Sequence, residues 1–371
     1  MLIGAQDTLL YRRAFGHRAL TPEQLPMRED TIFDLASLTK VIATTTAVMQ
    51  LTEQGKWRLD DLVAQYWPEF TTNGKGDITI RELLTHYSGL RADLDLQTPW
   101  WGYETALTLI VAEKPRFPAG TAFLYSDINF AILGELVRRV SGLPLDVYCA
   151  RHIFQPLGMN DTSFVPPSDR RERIAPTERM QSGIVHDPTA YRMGGVAGHA
   201  GLFSTADDLA IFARMLLHGG SLHGVQIVGP QSVAATTSPQ SPPHETRVRG
   251  LGWDIGVPFV ENRNSQSPPY AYGHTGFTGT SMWIDPASQM YVIILTNRLH
   301  PHGTGDAQPL RKHVANVVAE TRKSWSTAPV MAHHAALARG ARPISRRAGT
   351  ISALSSIVSE LALCISLAWM G

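Results

Sequence analysis

Cysteine is nearly missing: Cys149 and Cys364 are the only two in 371 residues. They lie far apart and match no metal-ligand spacing. A disulfide framework is excluded, and Cys149 reads as a small buried apolar residue. Net charge is nearly missing as well. Lys plus Arg number 33 and Asp plus Glu 32, a formal net charge of +1. The main body therefore carries no electrostatic footprint for nucleic acid or an anionic membrane. Charged residues make up only 18% and apolar residues 43%, which excludes a disordered chain and gives a sizeable core. Behind Met1-Leu-Ile-Gly4 there is neither a basic n-region nor an apolar h-region. The expected location is cytoplasmic; a start assigned too late would make it periplasmic or membrane-associated.

Two regions are expected. Residues 1–322 carry alternating helix and strand signals without an internal repeat, the pattern of one α/β or α+β domain. Residues 323–371 hold five basic residues against Glu360 alone, then an apolar run from Ile351 to Met370. Arginines before such a run suit a membrane anchor, but Glu360 in its middle and five serines argue against one. A loosely held tail is the expectation. Residues 37–55 form the clearest helix, with Val41, Thr44, Val48 and Leu51 at helical spacing and Gly55 as its stop. Shorter helices are predicted at 59–66, 78–84, 129–140, 205–217 and 310–321. Strands are predicted at 1–4, 8–15, 280–284 and 290–296, the last two as a hairpin.

The feature that carries chemistry is Ser37-Leu-Thr-Lys40 at the head of the long helix. Three residues apart, a hydroxyl and an amine share one helical face. Serine is a weak nucleophile until a base takes its proton. A lysine desolvated among apolar neighbours loses basicity and can be that base at neutral pH. The helix N-terminus adds free N–H groups where an oxyanion would form. Alone, the pattern also fits a helix cap followed by a surface lysine. Tyr125-Ser-Asp127 lies just before a helix, where a phenol could relay a proton if cations lower its pKa; a buried tyrosine beside a capping aspartate is the plainer alternative. His274-Thr-Gly276 begins a strand and leads into Phe277. Small residues there let a substrate approach an edge strand, and an N–H after Gly276 can complete an oxyanion hole.

In this order the three elements resemble the serine β-lactamase and penicillin-binding protein superfamily. The resemblance is closest to class C β-lactamases, D-alanyl-D-alanine carboxypeptidases and family VIII carboxylesterases, whose second motif is Tyr-x-Asn. Thr79-Ile-Arg-Glu-Leu-Leu-Thr-His-Tyr-Ser-Gly-Leu90, Pro156-Leu-Gly-Met159, Gly198-His-Ala-Gly-Leu-Phe-Ser-Thr205 and Gly250-Leu-Gly-Trp253 are similar to that branch too. It implies an antiparallel sheet flanked by helices, a mainly helical region, and the site between them. Ser37 would be the acylated nucleophile, Lys40 its base partner and Tyr125 a general acid or base. His274 would stand for the strand lysine. The N–H groups of Ser37 and Phe277 would form the oxyanion hole, with Asp127, Thr275, Gly276 and Phe277 contacting substrate. No metal or cofactor is implied, and His300 with His302, or His333 with His334, lacks a third ligand at usable spacing.

This chain departs from the pattern. Asp127 stands where Asn is usual and can pair with Lys40, raising the lysine pKa and making it a poorer base. His274 replaces a lysine, so a substrate carboxylate is held less well at neutral pH. Neutral esters are then preferred, or carboxylate substrates improve at lower pH. The first strand is also cut short. The expected activity is a serine hydrolase acting on a small ester, peptide or β-lactam. A non-catalytic module binding muropeptides or lipids, or a weak β-lactamase, is the alternative. His199 either faces the cleft or is a satisfied loop histidine. Trp100, Trp101 and Tyr103 either wall an acyl site or plug the helical region.

Overall fold

The computed structural model describes residues 1–178, 182–242, 248–256 and 271–326. The basic-then-apolar tail from residue 327 on, with Cys364, His333 and His334, lies outside them. The N-terminal hairpin joins β1 (Leu2–Ala5) to β2 (Thr8–Arg12), turning at Gln6 with φ 49°. β1 pairs along its length with β2 and with the strand that begins at Met290. With β3 (Asp254–Ile255), β4 (Tyr272–Thr275), β5 (Ser281–Asp285) and β6 (Met290–Ile294) it forms a six-stranded sheet, antiparallel throughout, in the order β3-β4-β5-β6-β1-β2.

Successive strand residues face opposite sides, so each side has its own cover. Ile3, Tyr11, Val292 and Ile294 pack against Val314 and Val317 of the C-terminal helix. Leu2, Met282, Ile284, Tyr291 and Ile293 face the main core. There the long helices α1 (Thr46–Glu53), α2 (Asp127–Ser141) and α3 (Ala206–Leu217) contribute their apolar faces. The C-terminal helix, α4, runs Gln308–Ser326, through the expected boundary at 322. The architecture is the antiparallel sheet, flanking helices and helical region expected from the resemblance.

Three local readings change. The helix predicted over 37–55 is not uniform. It opens with a tight turn, widens into a π-helical stretch over Lys40–Thr45, and becomes regular only from Thr46. Three successive threonines sit there; Thr46 Oγ1 donates to Val41 O at 3.2 Å and Thr44 Oγ1 to Gly198 O at 2.6 Å. Side-chain bonds of this kind compete with the regular ladder, and π turns concentrate at functional sites. The helix predicted at 59–66 shrinks to one turn, Val63–Gln65, because Leu62 is extended and Val63 N–H bonds to Ile78 O at 2.9 Å. His274 and Thr275 end a strand rather than begin one. β3 lies outside that strand but pairs only with Tyr272 and Gly273, so among the described strands His274 and Thr275 keep the open edge expected of them.

Candidate active site

Ser37 is presented by a strained entry. Asp34, at the end of a two-residue strand, is fully buried and accepts the N–H groups of Ala36 at 2.9 Å and His186 at 2.7 Å. Burial still pushes its carboxyl up to about 6. Ala36 then takes a left-handed φ of 47°, a conformation that costs an alanine about 1–3 kcal/mol and persists only where the surroundings impose it. Thr39 Oγ1 donates back to Ala36 O at 2.7 Å. The turn that follows brings Ser37 half into the open while Lys40 is fully buried.

Lys40 Nζ donates to Ser37 Oγ and to His199 O, each at 3.0 Å, and lies 2.5 Å from Asp127 Oδ1. Burial opposes its charge, yet Asp127 and Tyr125 outweigh that, and the lysine's pKa lies above its ordinary value. The resting group is an ammonium ion paired with a carboxylate. Burial alone favours a free amine; the acid at position 127 prevails, as expected from its standing in place of asparagine.

Tyr125 and Asp127 arrive on the start of α2. Its cap is Ser126, whose hydroxyl accepts Asn129 N–H at 3.4 Å and donates to Arg91 O at 2.6 Å. Asp127 is the first helical residue rather than the cap, where the helix dipole favours its charge. The Tyr125 hydroxyl interacts with both Ser37 and Lys40. Burial raises its pKa in spite of Lys40, so it is a neutral phenol and not the lowered-pKa phenolate that cations alone would give. Its ring stacks on buried His86, centroids 4.4 Å apart. His86 Nδ1 accepts Ser126 N–H at 3.0 Å, which places its proton on Nε2.

His274 completes the far wall, its ring centroid 6.2 Å from that of Tyr125. Nδ1 lies 2.8 Å from Thr275 O and, among the described residues, Nε2 has no hydrogen-bond partner. A carbonyl accepts only, so the proton sits on Nδ1. Desolvation, with Arg249 and Lys40 nearby, lowers the pKa to about 4 against the opposing pull of Asp254. Gly276 and Phe277 follow. A Cβ on Gly276 would lie 2.4 Å from Leu35 O, so only glycine allows this approach of the turn to the segment carrying Ser37. Among the described residues, neither the Ser37 nor the Phe277 N–H donates to another group of the protein. The Phe277 side chain does not join the cluster. It is 60% exposed, stacks on His186 with centroids 5.6 Å apart, and lies under Arg298.

Ser37, Lys40, Tyr125 and Asp127 are thus brought together directly, His274 stands across from them, and Thr275, Gly276 and Phe277 contribute backbone. His199 is fully buried, its Nε2 3.0 Å from Asp187 Oδ1. It is a buried loop histidine, half satisfied: Asp187 holds Nε2, Nδ1 has no partner among the described residues, and its carbonyl holds Lys40. Burial opposes its charge, but Asp187 prevails and raises its pKa, while the Asp187 carboxyl is held down at about 2. Trp100 and Tyr103 are plugs, bonded to Asp95 O and Glu135 Oε2; Trp101 is exposed against Tyr191.

Sequence reasoning missed His86 and Arg249. Arg249 is buried, ion-paired to Asp254 and bonded to Gly252 O at 2.9 Å, with its guanidinium 5.9 Å from the Tyr125 ring centre. It directly precedes the Gly250–Trp253 stretch, but nothing in its spacing signals the contact.

A model of the Beta-lactamase family matches residues 1–316. An Escherichia coli K12 protein named "Putative D-alanyl-D-alanine carboxypeptidase" is 31% identical over 341 residues, covering 81% of this chain and 78% of that protein. A penicillin-binding protein homologue from Caulobacter crescentus superposes with a TM-score of 0.69 at 23% identity, over 86% of this chain and 91% of that one. A family VIII carboxylesterase gives 0.67 at 23%, over 86% and 91%. A class C beta-lactamase gives 0.68 at 21%, over 83% and 87%.

Proposed function

The chain belongs to the beta-lactamase family of serine hydrolases, and from that premise we propose that it cleaves small neutral esters or amides through an acyl-enzyme on Ser37. The observation that carries this is the contact of buried Lys40 Nζ with Ser37 Oγ at 3.0 Å. Nucleophile and base partner within hydrogen-bond reach, the base oriented by a third group, is the signature of an activated serine.

The proton moves through the pair. As the serine attacks the acyl carbon, Lys40 takes the Ser37 Oγ proton and in the same step passes one of its own to Asp127 Oδ1, 2.5 Å away, so no free amine is needed beforehand. The tetrahedral oxyanion is held by the N–H groups of Ser37 and Phe277. Tyr125, a neutral phenol, gives its proton to the departing alkoxide or amine and is reprotonated from Lys40. Water gives a proton to Lys40 as it attacks the acyl carbon, Lys40 passes it to the departing Ser37 Oγ, and Asp127 returns its proton to Lys40, restoring the resting pair.

Asp127 then has a role that asparagine cannot perform, since an amide takes no proton from an ammonium. In Asp127→Asn, Lys40 must lose its proton to solvent before each turnover. The acid limb of the kcat/KM profile is expected to move up by about one pH unit or more. A limb that stays in place rules Asp127 out as the proton acceptor.

His274 supports the neutral substrate. With a pKa near 4 it carries no charge over the working range, and the Lys40 and Arg249 charges are already paired with Asp127 and Asp254. The preference for p-nitrophenyl butyrate over an ester of the same length bearing a free carboxylate is therefore expected to be constant from pH 5 to 8. A carboxylate ester that gains as pH falls through 6 contradicts a neutral His274. The name of the Escherichia coli relative favours a second reading, cleavage of a D-alanyl peptide. Turnover of a D-Ala-D-Ala peptide faster than the butyrate ester would select it, with the same acyl-enzyme chemistry.

A further inference from the structure

Arg311 lies on the C-terminal helix, remote in sequence from every motif, and is buried. One of its terminal nitrogens, Nη2, donates to Gly276 O at 3.1 Å and to Thr280 O at 2.7 Å. These carbonyls flank the turn that presents the Phe277 N–H. The turn is closed by Gly276 N–H on Thr280 O at 2.7 Å and Gly279 N–H on Gly276 O at 3.0 Å. It is pinned to the strand before Ser37 by Thr278 Oγ1 on Asp34 O at 2.7 Å and Thr280 Oγ1 on Leu35 O at 3.0 Å.

The Gly276–Phe277 peptide is trans, the cis bonds lying at Pro22 and Pro301. In a planar trans peptide the C=O and the N–H point in opposite directions. Whatever grips Gly276 O therefore sets where the Phe277 N–H points. A charged donor on the carbonyl also polarises the same amide and strengthens its N–H as a donor.

We propose that Arg311 is a positioning residue of the oxyanion site, holding the carbonyl edge of the Gly276–Phe277 peptide so that its N–H edge faces the Ser37 hydroxyl. The inference rests on reading Ser37 as the acylated nucleophile. A buried guanidinium is a costly way to satisfy two carbonyls that a neutral donor could serve. Burial, with Arg298 nearby, pulls its pKa down to about 10, which leaves it charged at neutral pH. The charge has a use where negative charge develops on the other side of one peptide plane.

Arg298 supplies the comparison. It grips the adjacent peptide, Nε donating to Phe277 O at 2.6 Å and Nη1 to Gly305 O at 2.7 Å, and so steadies the turn without touching the Gly276 carbonyl. The test uses the full chain with Arg311→Met, Arg311→Gln, Arg298→Met and Ser37→Ala. It reads kcat and KM for p-nitrophenyl butyrate together with the 15N shift of the Phe277 amide. Removing an oxyanion donor outright costs about 10²–10³ in kcat. Misdirecting one by Arg311→Met is expected to cost about 10- to 100-fold in kcat, with KM within about twofold and a displaced Phe277 resonance. Arg298→Met is expected to lose less.

Arg311→Met with wild-type kcat and an unmoved Phe277 amide overturns the assignment. Equal losses in both arginine variants also overturn it, since the loss would then be general to the turn. If Arg311→Met does not fold, Arg311→Gln decides by the same two readings. Ser37→Ala that keeps activity overturns the acyl-enzyme reading and this inference with it. Ser37→Ala that is inactive, beside an unaffected Arg311→Met, overturns this inference alone.

Discussion

Ser37→Ala is expected to lower kcat/KM for p-nitrophenyl butyrate by about 10⁴-fold or more, the scale seen when a serine nucleophile is removed from a covalent mechanism. Neither group that touches the Ser37 hydroxyl can take its place: Lys40 is an ammonium and Tyr125 a neutral phenol with its pKa raised by burial. Ser37 is half-buried, and its hydroxyl is bonded to Lys40 and Tyr125 within the site. The fold should therefore survive, with unfolding free energy within about 1 kcal/mol of the parent. The strained φ of Ala36 persists in the variant, because Asp34 imposes it and not the serine. Loss of activity together with an unchanged melting curve is the expected pair. A variant that keeps a tenth of the activity would place the nucleophile elsewhere.

The second large effect is at Lys40. Lys40→Met keeps the length of the side chain and removes the amine. A positioned base contributes about 10²- to 10⁴-fold, and that is the expected fall in kcat. KM for a neutral ester should hardly change, since Lys40 bonds Ser37, His199 O and Asp127 but faces no substrate charge. Stability changes too. Taking one partner from a buried ion pair costs about 3–5 kcal/mol when the other charge stays buried; Asp127 keeps some contact with solvent, so the cost should fall below that range. The reverse change, an apolar residue at Asp127, strands a fully buried ammonium and is the more damaging of the two for folding. A Lys40→Met enzyme that is folded and nearly fully active would leave the pair a structural role only.

These effects concern groups that were unequally legible in the sequence. Ser37 and Lys40 could be found because the spacing of three is itself a contact on a helix, so the local pattern carries the geometry. Even there the helix type was hidden: a π stretch set off by side-chain bonds of Thr44 and Thr46 has no periodic signature. Tyr125 and His274 were found through the resemblance of their motifs, not through any pattern that predicts a stacking distance. The aspartate at position 127 was seen to oppose a lysine base, and its contact with Lys40 confirms the pairing on which that argument depends.

Protonation states were the harder part. A cation beside a phenol lowers its pKa and burial raises it, and the outcome depends on how completely Tyr125 is enclosed. For His274 the balance falls the other way from a surface histidine, because desolvation outweighs Asp254. His86, Arg249 and Arg311 were not legible at all. Each reaches the site by a contact that exists only once distant elements have packed: His86 from a helix end, Arg249 from the segment before β3, Arg311 from α4.

The central claim is a covalent intermediate on Ser37, and trapping it is the most direct measurement. The protein is mixed with p-nitrophenyl butyrate, quenched in acid within a fraction of a turnover, digested and read by peptide mass spectrometry. The account predicts a butyryl group on the peptide containing Ser37, absent in Ser37→Ala and released on longer incubation at the rate of turnover. Hydrolysis that proceeds at full rate with no acylated peptide, or with the acyl group on another residue, would contradict it.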